Sequence, residues 1–393
     1  MERMTDMGKR ALMIADADGL WTRRVIENVL LPGGCQVVVF PIWGNKGTNE
    51  AFYRRHHIEV YQDPYRLPVI RHIPRLRMWV RVWLNARRLC RLYGPFDVVH
   101  NHYLSQRDLA LGDRVARRYG AVWACCFWGS DLLRPPVKDL LRMKPYLERC
   151  DHIHSDYGRL KERMEQLYGK AVAAKAETLE FGQVTYGCID SIRKEHTRAE
   201  CKAHFGIASD RFVLCVGYSA ARAQQQLQVL QALQALPPQT LGRVTLVLQQ
   251  TYCMDDADYV RRTRELARSL PCETVVLTEF MNDMECAWLR LAADAFVLAI
   301  TTDAFCATIR EYLYAGARVM YGGWLDYRQL KDMGIDLPTF QRFEDIPALV
   351  KQAMDGSWPV LTQEQRQAFH SLYSVEALLP KWLALYRKGP AAG

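Results

Sequence analysis

Short apolar runs alternate along the chain with longer stretches of helical spacing. The runs are ALMIADADG from Ala11, CQVVVFP from Cys35, FDVVHNH from Phe96, AVWACCFWG from Ala121, RFVLCVG from Arg211, RVTLVLQQ from Arg243, ETVVLTEF from Glu273, AFVLAITT from Ala295 and ARVMYGG from Ala317. Between them, helical periodicity covers Arg107–Tyr119, Gln224–Leu236, Asp256–Ser269, Asp283–Ala292 and Ser374–Arg387. The runs show no polar alternation. Strands of that kind, separated by helices, belong to parallel sheets covered on both faces. The predicted fold class is therefore α/β and doubly wound, present twice. The polar, interrupted segment from Gln183 to Asp210 divides the copies. The expected domains are 1–190 and 191–370, with 371–393 as a C-terminal helix packing back toward the first domain.

Composition adds class and charge. A chain of 393 residues, 49% hydrophobic and 24% charged, has the balance of a two-domain globular protein. Its start resembles neither a secretory signal nor a membrane span. The 12 cysteines form no C-x-x-C and no zinc-like Cys/His spacing, so buried thiols in a reducing cytoplasm and no metal are expected. The formal net charge is +9, and all the excess lies in residues 1–190, with 30 Lys+Arg against 21 Asp+Glu. Arg54–Arg91 alone carries ten Arg and three His against Glu59 and Asp63. Within it, Leu76, Val80, Trp83 and Cys90 share one helical face. The segment reads either as a basic amphipathic helix for an anionic membrane surface or as an ordinary covering helix with solvated arginines. No nucleic-acid motif accompanies it, so nucleic acid is not an expected partner.

Ligands of open parallel sheets bind at the carboxyl ends of the strands. Among those loops Thr301–Gly316, TTDAFCATIREYLYAG, carries the clearest chemistry. A strand ends at Asp303 and a helix begins around residues 304–308. Its amides and dipole suit a diphosphate without a metal, and Glu311 lies two turns in, where a carboxylate accepts from ribose hydroxyls. The plain alternative is that Asp303 caps a helix and Glu311 is a solvated helix charge.

This block resembles the acidic-x7-Glu signature of retaining GT-B glycosyltransferases of the family 4 kind, with Asp303 and Glu311 eight apart and Phe305 and Gly316 in register. It departs from the signature with Asp at 303 and with Ala304 and Cys306 in place of glycines. FDVVHNH…FWGSD, FVLCVGYSAARAQQQ and TEFMNDMECAWLRLAADAFVLA resemble further blocks of that family in the same order. Val216–Ser219, Thr251-Tyr252 and Gly323–Tyr327 look closer to bacterial 4-acetamido-4,6-dideoxygalactose transferases of lipid-linked surface-polysaccharide assembly. The resemblance implies transfer from a nucleoside-diphosphate sugar to a lipid-linked or cell-surface glycan, with retention and without metal or other cofactor. It places the enzyme in the cytoplasm or at the inner face of the membrane.

The resemblance also implies roles. Asp303 contacts the transferred sugar and Glu311 the ribose. The diphosphate falls to Phe305, Cys306, Ala307 and Thr308. The loop Gly217, Ser219 and Arg222 adds the one local cation, because Tyr218 and Gln224 stand where relatives keep Arg and Lys. Arg222 is alternatively a solvated loop residue. Thr251 and Tyr252 fall on the donor side, and Glu279 and Phe280 lie in the loop that cradles the nucleobase. In the first domain, Asp16, Gly19, Trp21, Trp128 and Asp131 face the acceptor, Asp131 being alternatively a helix cap. His100 and His102, read as ending a strand, offer acid–base or hydrogen-bonding groups or simply close their loop. Two other functions fit the same fold: a nucleotide-sugar 2-epimerase, and a non-catalytic nucleotide- or glycan-binding module with a decayed donor site.

Overall fold

The computed structural model describes residues 8–154, 159–177, 179–303, 305–358 and 360–387. Ala304 of the acidic motif lies outside them. The chain divides into two compact units, one of residues up to Gly182 together with those from Val375 on, the other Gln183–Ser374. The boundary does not lie at 190, because a continuous helix, Val184–Glu195, runs through that position. Gln183–Asp210 is not a loose linker either. It folds into that helix and a second, Arg198–His204, closed by a Thr197–Glu200 capping box.

The N-terminal unit holds a seven-stranded sheet: β1 (Arg10–Ala15), β2 (Gln36–Pro41), β3 (Glu59–Val60), β4 (Val98–His102), β5 (Val122–Cys126), β6 (His152–His154) and β7 (Ala176–Glu177). Its order is β3-β2-β1-β4-β5-β6-β7, and every pairing is parallel. The C-terminal unit holds β8 (Phe212–Val216), β9 (Val244–Gln249), β10 (Glu273–Leu277), β11 (Ala295–Leu298), β12 (Arg318–Gly322) and β13 (Thr339–Phe340). Their order is β10-β9-β8-β11-β12-β13, again parallel. In both sheets the strand order reverses beside the first strand of the unit, the switch point where a crevice opens. The fold class is α/β, doubly wound twice. β1, β4, β5, β8, β9 and β11 are buried or nearly so along their length, which is why their sequences do not alternate.

The C-terminal helix Val375–Arg387 returns to the N-terminal unit. Trp382 stacks on Phe181 at 5.0 Å and donates from Nε1 to the Glu180 carbonyl at 2.6 Å. Lys9 Nζ reaches the Tyr386 carbonyl at 2.7 Å. The chain passes between units twice, at Gly182 and again near Val375. A Cβ on Gly182 would lie 2.7 Å from Val375 Cα, and its φ is +82°. Both the space and the dihedral demand glycine there.

Gly182→Ala should therefore cost about 1–3 kcal/mol and lower the melting temperature by several degrees. An unchanged melting curve would mean that the crossing relaxes freely.

Candidate functional site

Within the C-terminal unit the carboxyl ends of β8, β9, β10 and β11 gather the sequence-predicted donor residues. β8 ends at Val216, and Gly217 follows with φ +63°. A Cβ there would come within 3.1 Å of Gln224 Oε1, so the turn needs glycine. Gln224 is buried, and its Oε1 accepts from the Tyr218 amide at 3.3 Å. Gln224 thus closes the loop from inside. Gln226 and Gln250 extend the amide network, and Arg264 Nε donates to Gln250 Oε1 at 2.7 Å. Ser219 is buried, with its hydroxyl turned to the Ala221 amide. Arg222 points outward. It pairs with Asp256 at 2.6 Å and lies over the Tyr259 ring at 5.2 Å. At 63% exposure that pair contributes about 0–1 kcal/mol, little enough to exchange for a stronger anion.

The acidic motif is built as a turn. Asp303 Oδ2 accepts from the Cys306 amide at 2.7 Å and from Tyr327 Oη at 2.6 Å. Burial, then Cys306 and Asp303, raise the Tyr327 phenol well above its ordinary value, so it stays a donor. Phe305 is buried at φ +70°, a non-glycine residue in the left-handed region. Such strain costs on the order of 1 kcal/mol and collects at functional loops. The helix Ala307–Ala315 then starts with no side-chain cap and no acid in its first turn. Ala307 and Thr308 are half-buried at this mouth, and Tyr218 stands beside Cys306 and Asp303. An uncapped helix start of this kind binds anions.

Glu311 is not a solvated helix charge. It is buried, and its Oε2 pairs with Arg290 Nε at 3.2 Å. Arg290 also donates to Gln249 Oε1 at 3.2 Å and to Tyr312 Oη at 3.1 Å, and its guanidinium lies 4.3 Å from the Tyr312 ring centre. Thr251 is buried, whereas Tyr252, Glu279 and Phe280 are exposed. Tyr252, Met254, Phe280 and Met284 are exposed apolar side chains on the segments that follow β9 and β10. The sequence reading missed Tyr327 and Arg290 as site residues. Arg290 left a trace, as the lone charge in the otherwise apolar stretch CAWLRLA.

The N-terminal unit arranges its candidates differently. Asp16 Oδ1 accepts from the Asp18 amide at 3.2 Å, and burial raises its carboxyl above the ordinary value. Gly19 folds over it, with its amide on the Asp16 carbonyl at 3.1 Å. Trp21 packs against Trp128 at 5.2 Å, both half-buried. Trp43, which the sequence reading also missed, meets Tyr103 edge-on at 5.0 Å and is 63% exposed. Four aromatic rings thus stand at the carboxyl ends of β1, β2, β4 and β5.

Asp131 belongs to the scaffold. It is buried, and its carboxylate accepts from the Trp128 amide and the Leu104 amide, each at 2.8 Å, tying two loops together. His100 and His102 are not loop residues. β4 continues through them, pairing His100 with Ala124 and His102 with Cys126. Both are buried, His100 at 0% exposure and His102 at 3%. His100 Nδ1 meets Tyr386 Oη at 2.7 Å, and burial pushes the His100 imidazole down to about 3.

The basic segment forms the helix Pro74–Tyr93, but its core-facing stripe is Val82, Asn85, Ala86 and Leu89. Leu76 and Trp83 are exposed instead, and Val80 and Cys90 are half-buried. The shift follows from packing on the helix Gln106–Tyr119, which selects a different face from the one apolar residues alone suggest. A surface groove of about 940 Å³ lies there, lined by Trp83, Arg87, Arg91, Arg114, Arg117 and Arg118 among others. No helix of the described residues is long and apolar enough to cross a membrane.

No protein-family profile matches the chain, and no curated protein matches it in sequence. Solved structures do match over nearly the whole length. A glycosyltransferase from Rickettsia africae superposes with a TM-score of 0.75 at 12% identity, covering 98% of this chain and 99% of that one. Sucrose-phosphate synthase from Thermosynechococcus elongatus gives 0.70 at 14% identity, covering 96% and 98%. The Anabaena protein HepE, solved with UDP and glucose, gives 0.68 at 14% identity, covering 95% and 98%.

Burial of Asp131 pushes its carboxyl up to about 7. The folded chain therefore holds that proton more tightly than the unfolded chain, whose aspartate titrates near 3.9. The stabilisation is complete below the unfolded value and is lost as pH rises toward 7. Relative to Asp131→Asn, which does not titrate, the wild type should lose roughly 5 °C or more in melting temperature between about pH 5 and about pH 8. A gap constant across that window would show that the group is already ionised at pH 5.

These likenesses identify the architecture of the chain as the GT-B fold, two doubly wound parallel-sheet domains.

Proposed function

We propose that the protein is a glycosyltransferase of EC class 2.4. It moves a sugar from a nucleoside-diphosphate donor held in the C-terminal unit to a lipid-linked or cell-surface glycan, with retention and without a metal at the donor site. The observation that carries this reading is the uncapped start of helix Ala307–Ala315, with Asp303 fixed at its mouth and Glu311 buried about one turn in. In it, the Ala307 and Thr308 amides hold the diphosphate, and Arg222 leaves Asp256 to join them. The Tyr327 and Cys306 bonds both fall on Asp303 Oδ2, so Oδ1 is the atom offered to the sugar. Glu311 Oε1 takes the ribose hydroxyls while Arg290 grips Oε2.

As the glycosyl–oxygen bond breaks, negative charge grows on the diphosphate. The amides and Arg222 neutralise it, and the departing phosphate oxygen takes the proton of the acceptor hydroxyl. Tyr252, Phe280 and Met284 cover the base, and UDP, the nucleotide bound by HepE, is the first to test. In the N-terminal unit, Trp21, Trp43 and Trp128 offer flat faces to acceptor sugar rings, with Asp16 and Gly19 beside them.

A thermal-shift screen of UDP-, GDP-, dTDP- and CDP-sugars without added metal tests the donor assignment. One nucleotide should raise the melting temperature. The rise should shrink in Arg222→Gln and vanish in Glu311→Gln, each compared with its own ligand-free melt. Glutamine rather than alanine is used at 311 because it keeps a side-chain oxygen for the Arg290 hydrogen bond, although either change removes the counter-ion at a cost of up to about 3–5 kcal/mol. No shift with any of the four nucleotides would turn the reading to a decayed binding module.

The same proposal places the protein at the cytoplasmic face of the membrane through the Arg-lined groove and the exposed Trp83 and Leu76. Sedimentation with vesicles of about 30% anionic lipid should capture it at low salt. An Arg87→Glu, Arg91→Glu double variant should lose most of that binding, each charge contributing about 1 kcal/mol. Equal capture by neutral vesicles would remove the electrostatic argument.

A further inference from the structure

The interior of the N-terminal unit holds a group of side chains that neither the fold nor the proposed transfer explains. The strand period of two puts His100 and His102 on one face of β4, and the register sets Cys126 of β5 directly opposite His102. One ligand-capable atom from each of the three lies within 4.8 Å of the others, and all three residues are buried. His100 Nε2 and both ring nitrogens of His102 have no hydrogen-bond partner, and neither does Nδ1 of the nearby His154. Buried polar atoms are nearly always satisfied, and each one left over costs about 1–3 kcal/mol. Four in one spot, walled by aromatic side chains, point to a ligand that takes lone pairs.

We propose that His100 Nε2, one ring nitrogen of His102 and Cys126 Sγ form a three-coordinate site for a soft monovalent d10 cation, Cu+. Imidazole and thiolate are the ligand set that such ions prefer. On binding, the Cys126 thiol releases its proton to solvent and its sulfur bonds the metal. A cation about 2.0 Å from nitrogen and about 2.3 Å from sulfur needs ligand atoms about 3.3–3.8 Å apart, so side-chain shifts of about an ångström close the site. Charge selects the ion. The cluster contains no carboxylate among the described residues. Zn2+ with one thiolate would leave a net positive charge in an interior walled by Phe181, Trp128 and Trp382, whereas Cu+ leaves none. Tyr386 completes the arrangement. Its oxygen 2.7 Å from His100 Nδ1 fits a Nδ1–H donor, which leaves the Nε2 lone pair for the metal.

Anaerobic titration of the full-length protein with Cu+ against a chromogenic competitor tests this, with Zn2+ and Co2+ as parallel arms. The expected result is one Cu+ per chain, with sulfur and nitrogen scatterers in the X-ray absorption spectrum. Affinity should fall by more than about tenfold in Cys126→Ser and in His102→Gln, and by about 10- to 100-fold in Tyr386→Phe, the positioning residue. The spectrum of the wild type keeps the test decisive even if a core variant misfolds. No uptake of any metal, uptake without sulfur coordination, or a preference for Zn2+ over Cu+ would overturn the proposal.

Discussion

Arg290 carries its guanidinium into the interior of the C-terminal unit at 2% exposure, and the arrangement around it follows from that charge. A buried cation without a counter-ion is too costly to keep, so Glu311 must face it from the neighbouring helix. Gln249 at the end of β9 and the Tyr312 hydroxyl and ring complete the shell. The pair therefore fixes two helices and one strand end against each other. Replacing it with apolar residues of equal volume would be close to neutral for stability. What it supplies is position, a carboxylate held rigidly beneath a helix start.

That helix start depends on a second, local set of constraints. Asp303 is drawn down by Tyr327 and turned onto the Cys306 amide, and Phe305 accepts a left-handed backbone to let the turn close. The ring of Phe305 is anchored in return, packing on Tyr327 at 5.2 Å with the Arg310 guanidinium 5.2 Å from its centre. A residue with this φ persists only where its surroundings over-determine it. Asp303, bonded to the Cys306 amide and Tyr327, and the packed ring of Phe305 thus hold the turn by side-chain contacts.

Legibility in the sequence tracked how long each signal was. The nine apolar runs correspond to β1, β2, β4, β5 and β8–β12, because four to six residues in a row, buried in all of these strands but the half-buried β10, are hard to mistake. β3, β6, β7 and β13 escaped because two or three residues carry no periodicity. The helix Asp283–Ala292 matched to the residue, its ends being marked by the Asn282–Glu285 capping box. The loop and helix carrying Asp303 and Glu311 stood out through the spacing of the two acids, yet the partners of both did not. Tyr327 and Arg290 lie 24 and 21 residues away, and only the folded sheet brings them there. The basic helix was located correctly but faced wrongly, since apolar side chains on both of its sides left the choice to its neighbour.

The histidines of β4 illustrate the opposite failure. Read as the end of a strand, HNH suggests a polar loop. In the sheet, β5 pairs with it to the last residue, and the alternation carries His100 and His102 inward while Asn101 turns to the other face, bonding the Asp108 carbonyl and Trp123 Nε1. With His100 pushed down to about 3 by burial and Asp131 committed to two backbone amides, neither is presented as a proton acceptor for chemistry in solvent. What the N-terminal unit presents at its strand ends is Asp16 and a set of aromatic faces. In the proposed transfer the acceptor proton goes to the departing phosphate, so the groups that stabilise the leaving group carry the demand for a base.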